Sequence, residues 1–186
     1  MGQPASTSVA ATQYGRPRLT INLQNMEVGF IGLGNMGLPM CKRLLASHKN
    51  VKVFDIATKN VTSAVAHGAI AAISAADCAS HVDVLFTSLP KPENVNEVMV
   101  ENFALQKLKP GAIWVDLTTN RKELVIELAN KAPNGVTVLD SPVTGAVDGA
   151  RNGRLTLFVG GDKSSFDQVS SLLASLGKAI YCGPLG

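Results

Sequence analysis

A chain of 186 residues, 46% hydrophobic and 17% charged with a mean hydropathy of +0.18, carries enough apolar material for one globular core. Its apolar segments are too short, and too broken by Gly, Pro and charge, to span a membrane. Seventeen basic and 14 acidic residues give a net charge of +3 without a basic run or arm, so nucleic-acid binding through a charged surface is not indicated.

Residues 1–25 are rich in Ser, Thr, Ala and Gln, contain Arg16 and Arg18, and precede the first acid, Glu27. They read as a disordered extension or a possible mitochondrial transit peptide, with Met26 as an alternative start. Residues 26–186 read as one dinucleotide-binding domain. Its opening strand, Val28 to Ile31, is apolar on both faces, as in a buried parallel sheet. Gly32, Gly34 and Gly37 follow at the G-x-G-x-x-G spacing: a tight turn, a close approach to pyrophosphate, and close helix packing. A helix beginning near Asn35 would face phosphates with its free N–H groups and positive dipole end. A second strand, 51–54, ends in Asp55, whose carboxylate can accept from a ribose 2′-hydroxyl and repel a 2′-phosphate. The expected cofactor is therefore NAD, with NADP less favoured.

Further along, the periodicity predicts a helix over 58–67 and a short strand near 69–72. A helix over 74–80 follows, with Ser74 as N-cap and Asp77 as its acid. Val82 to Leu89 is a strand leading into the Leu-Pro-Lys-Pro-Glu-Asn loop, then a helix over 94–101 and a further turn or two up to Lys109. The strand 112–117 precedes Thr118, Thr119 and Asn120, the latter two plausible caps for a helix over 121–131. A strand over 136–140 leads to a second glycine-rich segment, a loop into a short helix closed by Gly153. That segment has two readings, a plain connection or an anion site formed by Thr144 and the N–H groups near Gly145. A strand over 155–160, an amphipathic helix over 164–176 and a strand over 179–182 complete the alternation, which predicts an α/β, Rossmann-like, doubly wound and mostly parallel sheet. Right-handed crossovers then bring the glycine turn, the 88–94 loop, Thr119 and the 141–146 loop to one sheet edge. Cys41, Cys78 and Cys182 have no paired spacing and read as reduced thiols of an intracellular protein, cytoplasmic or in the mitochondrial matrix. His48, His67 and His81 lack ligand spacing, so no metal is expected.

The segments GFIGLGNMGLPM at 29–40 and DSPVTGAVDGARNGRLTLFVGG at 140–161 resemble the two motifs of the N-terminal domain of the β-hydroxyacid dehydrogenase family, 3-hydroxyisobutyrate dehydrogenase-like members included. The resemblance implies that Gly32, Leu33, Gly34, Asn35, Met36 and Gly37 hold the cofactor pyrophosphate and Asp55 the adenosine ribose. It sets Leu89, Pro90 and Asn94 beside the cofactor, Thr119 near the nicotinamide, and Thr144 and Gly145 on the substrate carboxylate. Ala146 stands where the family has a second glycine, and its methyl narrows the pocket or restricts the backbone. The family's catalytic lysine lies on a helix beyond a G-P-x-G-x-G-type segment, and Gly183-Pro-Leu-Gly186 precedes it, so no catalytic residue is assigned. Lys178 is too early and on the wrong element.

The implied parent is an NAD-dependent oxidoreductase of a small 3-hydroxy acid such as 3-hydroxyisobutyrate, a homo-oligomer when its all-helical C-terminal domain is present. This chain alone is expected to bind cofactor weakly and not to turn over. The alternatives are a glyoxylate, succinic semialdehyde or tartronate semialdehyde reductase, and a non-catalytic NAD(P)-binding or interaction module.

Overall fold

Alternation of side chains along each short strand decides which of two cores it feeds. The computed structural model describes residues 26–48 and 50–186, so the readings made for 1–25 lie outside it. Strands β1 (Val28–Ile31), β2 (Val51–Phe54), β3 (Ile70–Ala71), β4 (Val84–Thr87), β5 (Ile113–Asp116) and β6 (Thr137–Asp140) are parallel neighbours in the order β3-β2-β1-β4-β5-β6. Val28, Phe30, Val53, Val84, Phe86, Ile113 and Val115 enter one core, and Ile31, Leu85, Trp114 and Val138 enter the other. The period of two is what sends neighbours to opposite faces.

Helices α1 (Gly37–Ser47), α2 (Thr58–Val65) and, later, α6 (Ala146–Asn152) and α7 (Lys163–Leu176) cover the first face through Met40, Leu44, Ala64, Ala150, Val169 and Leu172. The second face is covered by α3 (Ala75–Ala79), α4 (Pro92–Asn96) and α5 (Lys122–Lys131) through Cys78, Val95 and Leu128. Each large side chain buried in this way contributes roughly 1.5–3 kcal/mol. The remaining strands, β7 (Val143–Thr144), β8 (Leu155–Gly161) and β9 (Gly177–Gly183), extend the sheet beyond β6: β8 is antiparallel to β6 and β7, and parallel to β9. The fold is the doubly wound, mostly parallel α/β sheet that the alternation predicts.

Strand order reverses between β1 and β4, so the crevice at the carboxyl ends of these two strands is the topological switch point where ligands bind in such sheets. The limits of β1 and β2 match those expected, while several helix ends differ. The first helix starts at Gly37 instead of near Asn35, because Asn35 and Met36 complete the turn. Neither Thr119 nor Asn120 caps α5: Arg121 holds the N-cap position without a side-chain bond, and the Asn120 amide is drawn to Asp116. The helix expected over 94–101 is α4 followed by a π-helical turn, Glu97–Glu101, ended by Phe103 at φ +60°. The expected 141–146 loop contains β7, whose Val143 and Thr144 pair with Leu157 and Thr156. Ser74 does accept from the Asp77 N–H, and Gly153 does close α6 in the left-handed conformation.

Candidate cofactor site

Three glycines open the site, and the surrounding atoms demand each of them differently. Gly32 sits at φ +92°, and a Cβ there would lie 2.3 Å from the Ser88 carbonyl oxygen. A Cβ on Gly37 would lie 1.9 Å from the Gly32 oxygen, so that glycine lets α1 pack against the turn. Gly34 is different: its φ is ordinary and a Cβ would meet nothing within 4 Å. No described atom requires a glycine at this exposed position, and the close approach of the backbone to a ligand is the role this glycine has in G-x-G-x-x-G turns. Beside it, the N–H groups of Gly34, Asn35 and Met36 donate to no acceptor among the described residues. Three free donors in a row at a helix start form a cradle for an anion, and a pyrophosphate fits it.

Asp55 closes this cradle. One carboxylate oxygen accepts the Leu33 N–H, and the other accepts the Ala57 N–H at 2.7 Å with Asn60 at 3.4 Å. Two main-chain anchors hold the acid at the lip of the glycine turn. Leu33 thereby differs from its neighbours, since its side chain is in the core and its N–H is committed to Asp55. Sequence reading passed over Ile56 and Ile73, which are 94% and 92% exposed at the ends of the adjacent strands β2 and β3. An isoleucine directly after the acid that follows β2 was the available signal, and it points to Ile56 alone.

Across the switch point, the turn after β4 touches the glycine turn. Ser88 N–H donates to the Ile31 carbonyl at 2.9 Å, and Leu89 packs against Gly32. The Leu89 N–H donates to Thr118 Oγ1 at 3.0 Å, tying this turn to the one after β5. Below them lies Asp116, 1% exposed, accepting from Thr87 Oγ1 at 2.8 Å, the Thr118 N–H at 3.1 Å and Asn120 Nδ2 at 3.0 Å. Burial pushes its carboxyl above the ordinary range, outweighing the downward pull of Asn120, Thr118 and Thr87. This cluster was not anticipated, although Asp55, Asp116 and Asp140 share one place, the carboxyl end of a strand.

Thr119 is exposed and lines a cleft of about 230 Å³ with Thr118, Asn120, Lys122, Asp140 and Pro142. Pro90 is exposed, and Asn94 on α4 bonds Glu97 at 3.3 Å, neither lining this cleft. Thr144 and Gly145 also stand apart from it, Thr144 on β7 opposite Thr156 and Gly145 at φ +126° before α6. Lys178 is exposed on β9. Cys41 and Cys78 are buried thiols pushed up to about 12 by desolvation, which makes them poor nucleophiles.

A family model described as the NAD binding domain of 6-phosphogluconate dehydrogenase matches residues 27–183. The 2-(hydroxymethyl)glutarate dehydrogenase of Eubacterium barkeri is 36% identical over 160 residues, 85% of this chain and 53% of its own length. Among solved structures, Mycobacterium tuberculosis 3-hydroxyisobutyrate dehydrogenase with L-serine superposes with a TM-score of 0.80 at 34% identity, covering 86% of this chain and 55% of that one. Psf3 in complex with NADP+ and 2-OPP superposes at 0.79 with 31% identity, covering 85% and 57%. The chain spans about half the length of the curated relatives it matches. It belongs to the NAD-binding-domain family of 6-phosphogluconate dehydrogenase, within the β-hydroxyacid dehydrogenases.

Proposed function

We propose that these 186 residues are the cofactor half of an NAD-dependent dehydrogenase of a small 3-hydroxy acid such as 3-hydroxyisobutyrate. The free N–H groups of Gly34, Asn35 and Met36 receive the pyrophosphate, with Gly32 and Gly37 shaping the turn and Leu33 anchoring Asp55. Asp55 accepts the adenosine ribose hydroxyls, and the bare Ile56 offers an apolar surface to the adenine. Leu89, Pro90 and Asn94 flank the cofactor, Thr119 meets its nicotinamide end, and Thr144 with Gly145 holds the substrate carboxylate. When bound, the nicotinamide supplies the hydride-transfer chemistry. The chain's own residues bind, orient and exclude water. No residue here matches the family's proton-transfer lysine, and the 186 residues alone bind cofactor weakly and do not turn over. Residues 1–25 serve as an extension or a targeting segment, and the partner in the whole protein is a second copy of itself.

The observation that carries this reading is Asp55, fixed by the Leu33 and Ala57 N–H groups at the lip of the anion cradle. A fixed carboxylate about 4 Å from a 2′-phosphate costs about 4 kcal/mol per charge at an effective dielectric of about 20, before screening by salt. Titration of NADH and NADPH should therefore give NADH the tighter dissociation constant by about tenfold or more. Tighter NADPH binding would remove the assignment. That second reading is favoured by the exposed Lys59 in the first turn of α2 and by the NADP+ bound to Psf3.

A further inference from the structure

Asp116 ends β5 at the sheet edge where the cofactor is proposed to lie, and its hydrogen bonds run in one direction. Trp114 Nε1 donates to Thr87 Oγ1 at 2.9 Å, which orients the Thr87 hydroxyl proton toward Asp116 Oδ1. Thr118 gives its N–H to the same Oδ1 and accepts the Leu89 N–H on its own hydroxyl. Asn120 gives its amide to Oδ2 at 3.0 Å, while its oxygen accepts the Arg121 N–H at 2.8 Å. Each partner is therefore held at two points. The cluster joins three separate stretches, the end of β4, the turn after it, and the segment 118–120. Thr87, Asp116 and Thr118 are all 5% exposed or less. An acid taken out of water at the ligand edge, with no cation paired to it among the described residues, is an arrangement more common at functional sites than in plain cores.

Resting on the cofactor reading above, we infer that Asp116 is a positioning residue for the nicotinamide half of the cofactor. Through Thr118 it holds the Leu89 main chain, and through Asn120 it holds the segment that carries Thr119. It touches no cofactor atom itself. The adenine half depends on a different set of groups, the glycine turn and Asp55, so the two halves of the ligand separate the roles.

The experiment measures dissociation constants for NADH and for ADP-ribose, which lacks the nicotinamide, together with the melting temperature. The variants are Asp116→Asn, Thr118→Val and Thr118→Ser. Thr118→Val keeps the shape and the N–H that Asp116 accepts while removing the acceptor of the Leu89 N–H, so it tests the tie from the cluster to Leu89 even if Asp116→Asn fails to fold. Thr118→Val should weaken NADH by about fivefold or more, a loss of one buried hydrogen bond, while ADP-ribose binding changes by less than about twofold. Thr118→Ser should restore NADH binding. Parallel losses for NADH and ADP-ribose would overturn the inference, as would unchanged NADH binding in Thr118→Val. Wild-type binding of neither ligand would overturn the cofactor reading, and this inference with it.

Discussion

The two sides of the switch point manage polar groups in opposite ways. At the end of β1, the N–H groups of Gly34, Asn35 and Met36 have no partner among the described residues, and a Cβ on Gly34 would meet none of them within 4 Å. At the ends of β4 and β5, Thr87, Asp116, Thr118 and Asn120 bond one another, and three of the four are buried. The first side leaves its hydrogen-bonding capacity open, as the proposed cofactor site requires. The second uses its capacity internally, where an unpaired group would cost about 1–3 kcal/mol. A ligand edge needs both, since donors left free recognise the ligand only if the opposite wall is fixed.

Removing the acceptor at the centre of the closed side should have the largest effect. Asp116→Ala leaves the Thr87 hydroxyl and the Thr118 N–H without their acceptor in the interior. Unfolding stability should fall by about 3 kcal/mol or more, read from urea denaturation. A loss under about 1 kcal/mol would mean that the cluster relaxes onto other partners, and the contrast between the two sides would weaken.

The open side is tested by a pair of glycines that look equivalent in the motif. Gly37→Ala forces a methyl to within 1.9 Å of the Gly32 oxygen and should destabilise the fold by about 1–3 kcal/mol. Gly34→Ala meets nothing, so the unfolding midpoint should hardly move, while NADH binding falls about tenfold as the methyl occupies the ligand's approach. Equal losses of stability in both variants would show that Gly34 has a structural role after all.

This contrast also explains what the sequence reveals. The open side is local: Gly32, Gly34, Gly37 and Asp55 lie within one strand–helix–strand unit, so spacing alone identifies them. The closed side is made by contacts 27 to 29 residues apart, Trp114 to Thr87, Thr87 to Asp116 and Leu89 to Thr118, which depend on β4 and β5 being neighbours. Asn120 was legible only as a cap, because its competing partner comes from the preceding strand. Strand β7 escaped for a similar reason, since two residues become a strand only when β8 returns alongside them.

Acid titration sharpens the contrast further. Asp116 has a raised folded pKa, so between the ordinary carboxylate value and that raised value the folded state holds more protons than the unfolded one. Its contribution to stability is present below the ordinary value and is lost as pH rises through the folded pKa. Asp77 runs the other way: the Ile73 N–H bond first, and Lys52 after it, lower its pKa, so its stabilisation is lost as pH falls. Subtracting the stability–pH curve of Asp116→Asn from that of the wild type should therefore leave a difference that declines with rising pH. A difference that rises with pH would contradict the assignment of burial as the dominant cause at Asp116.

The smallest effect is expected at Ala146, the first residue of α6. Ala146 keeps φ at +53°, directly after Gly145 at +126°, and it is exposed. The chain thus retains a left-handed turn without the residue that adopts it freely, at a cost of about 1–2 kcal/mol. Glycine would relieve that strain but would add about 0.4–1 kcal/mol of unfolded-state entropy to be lost on folding. The difference decides the sign: Ala146→Gly should stabilise the domain by about 0.5–1 kcal/mol, read as a higher midpoint in urea. Because the position is exposed, no repacking should obscure the result. Destabilisation would mean that the methyl makes a favourable contact that outweighs the strain of the left-handed turn.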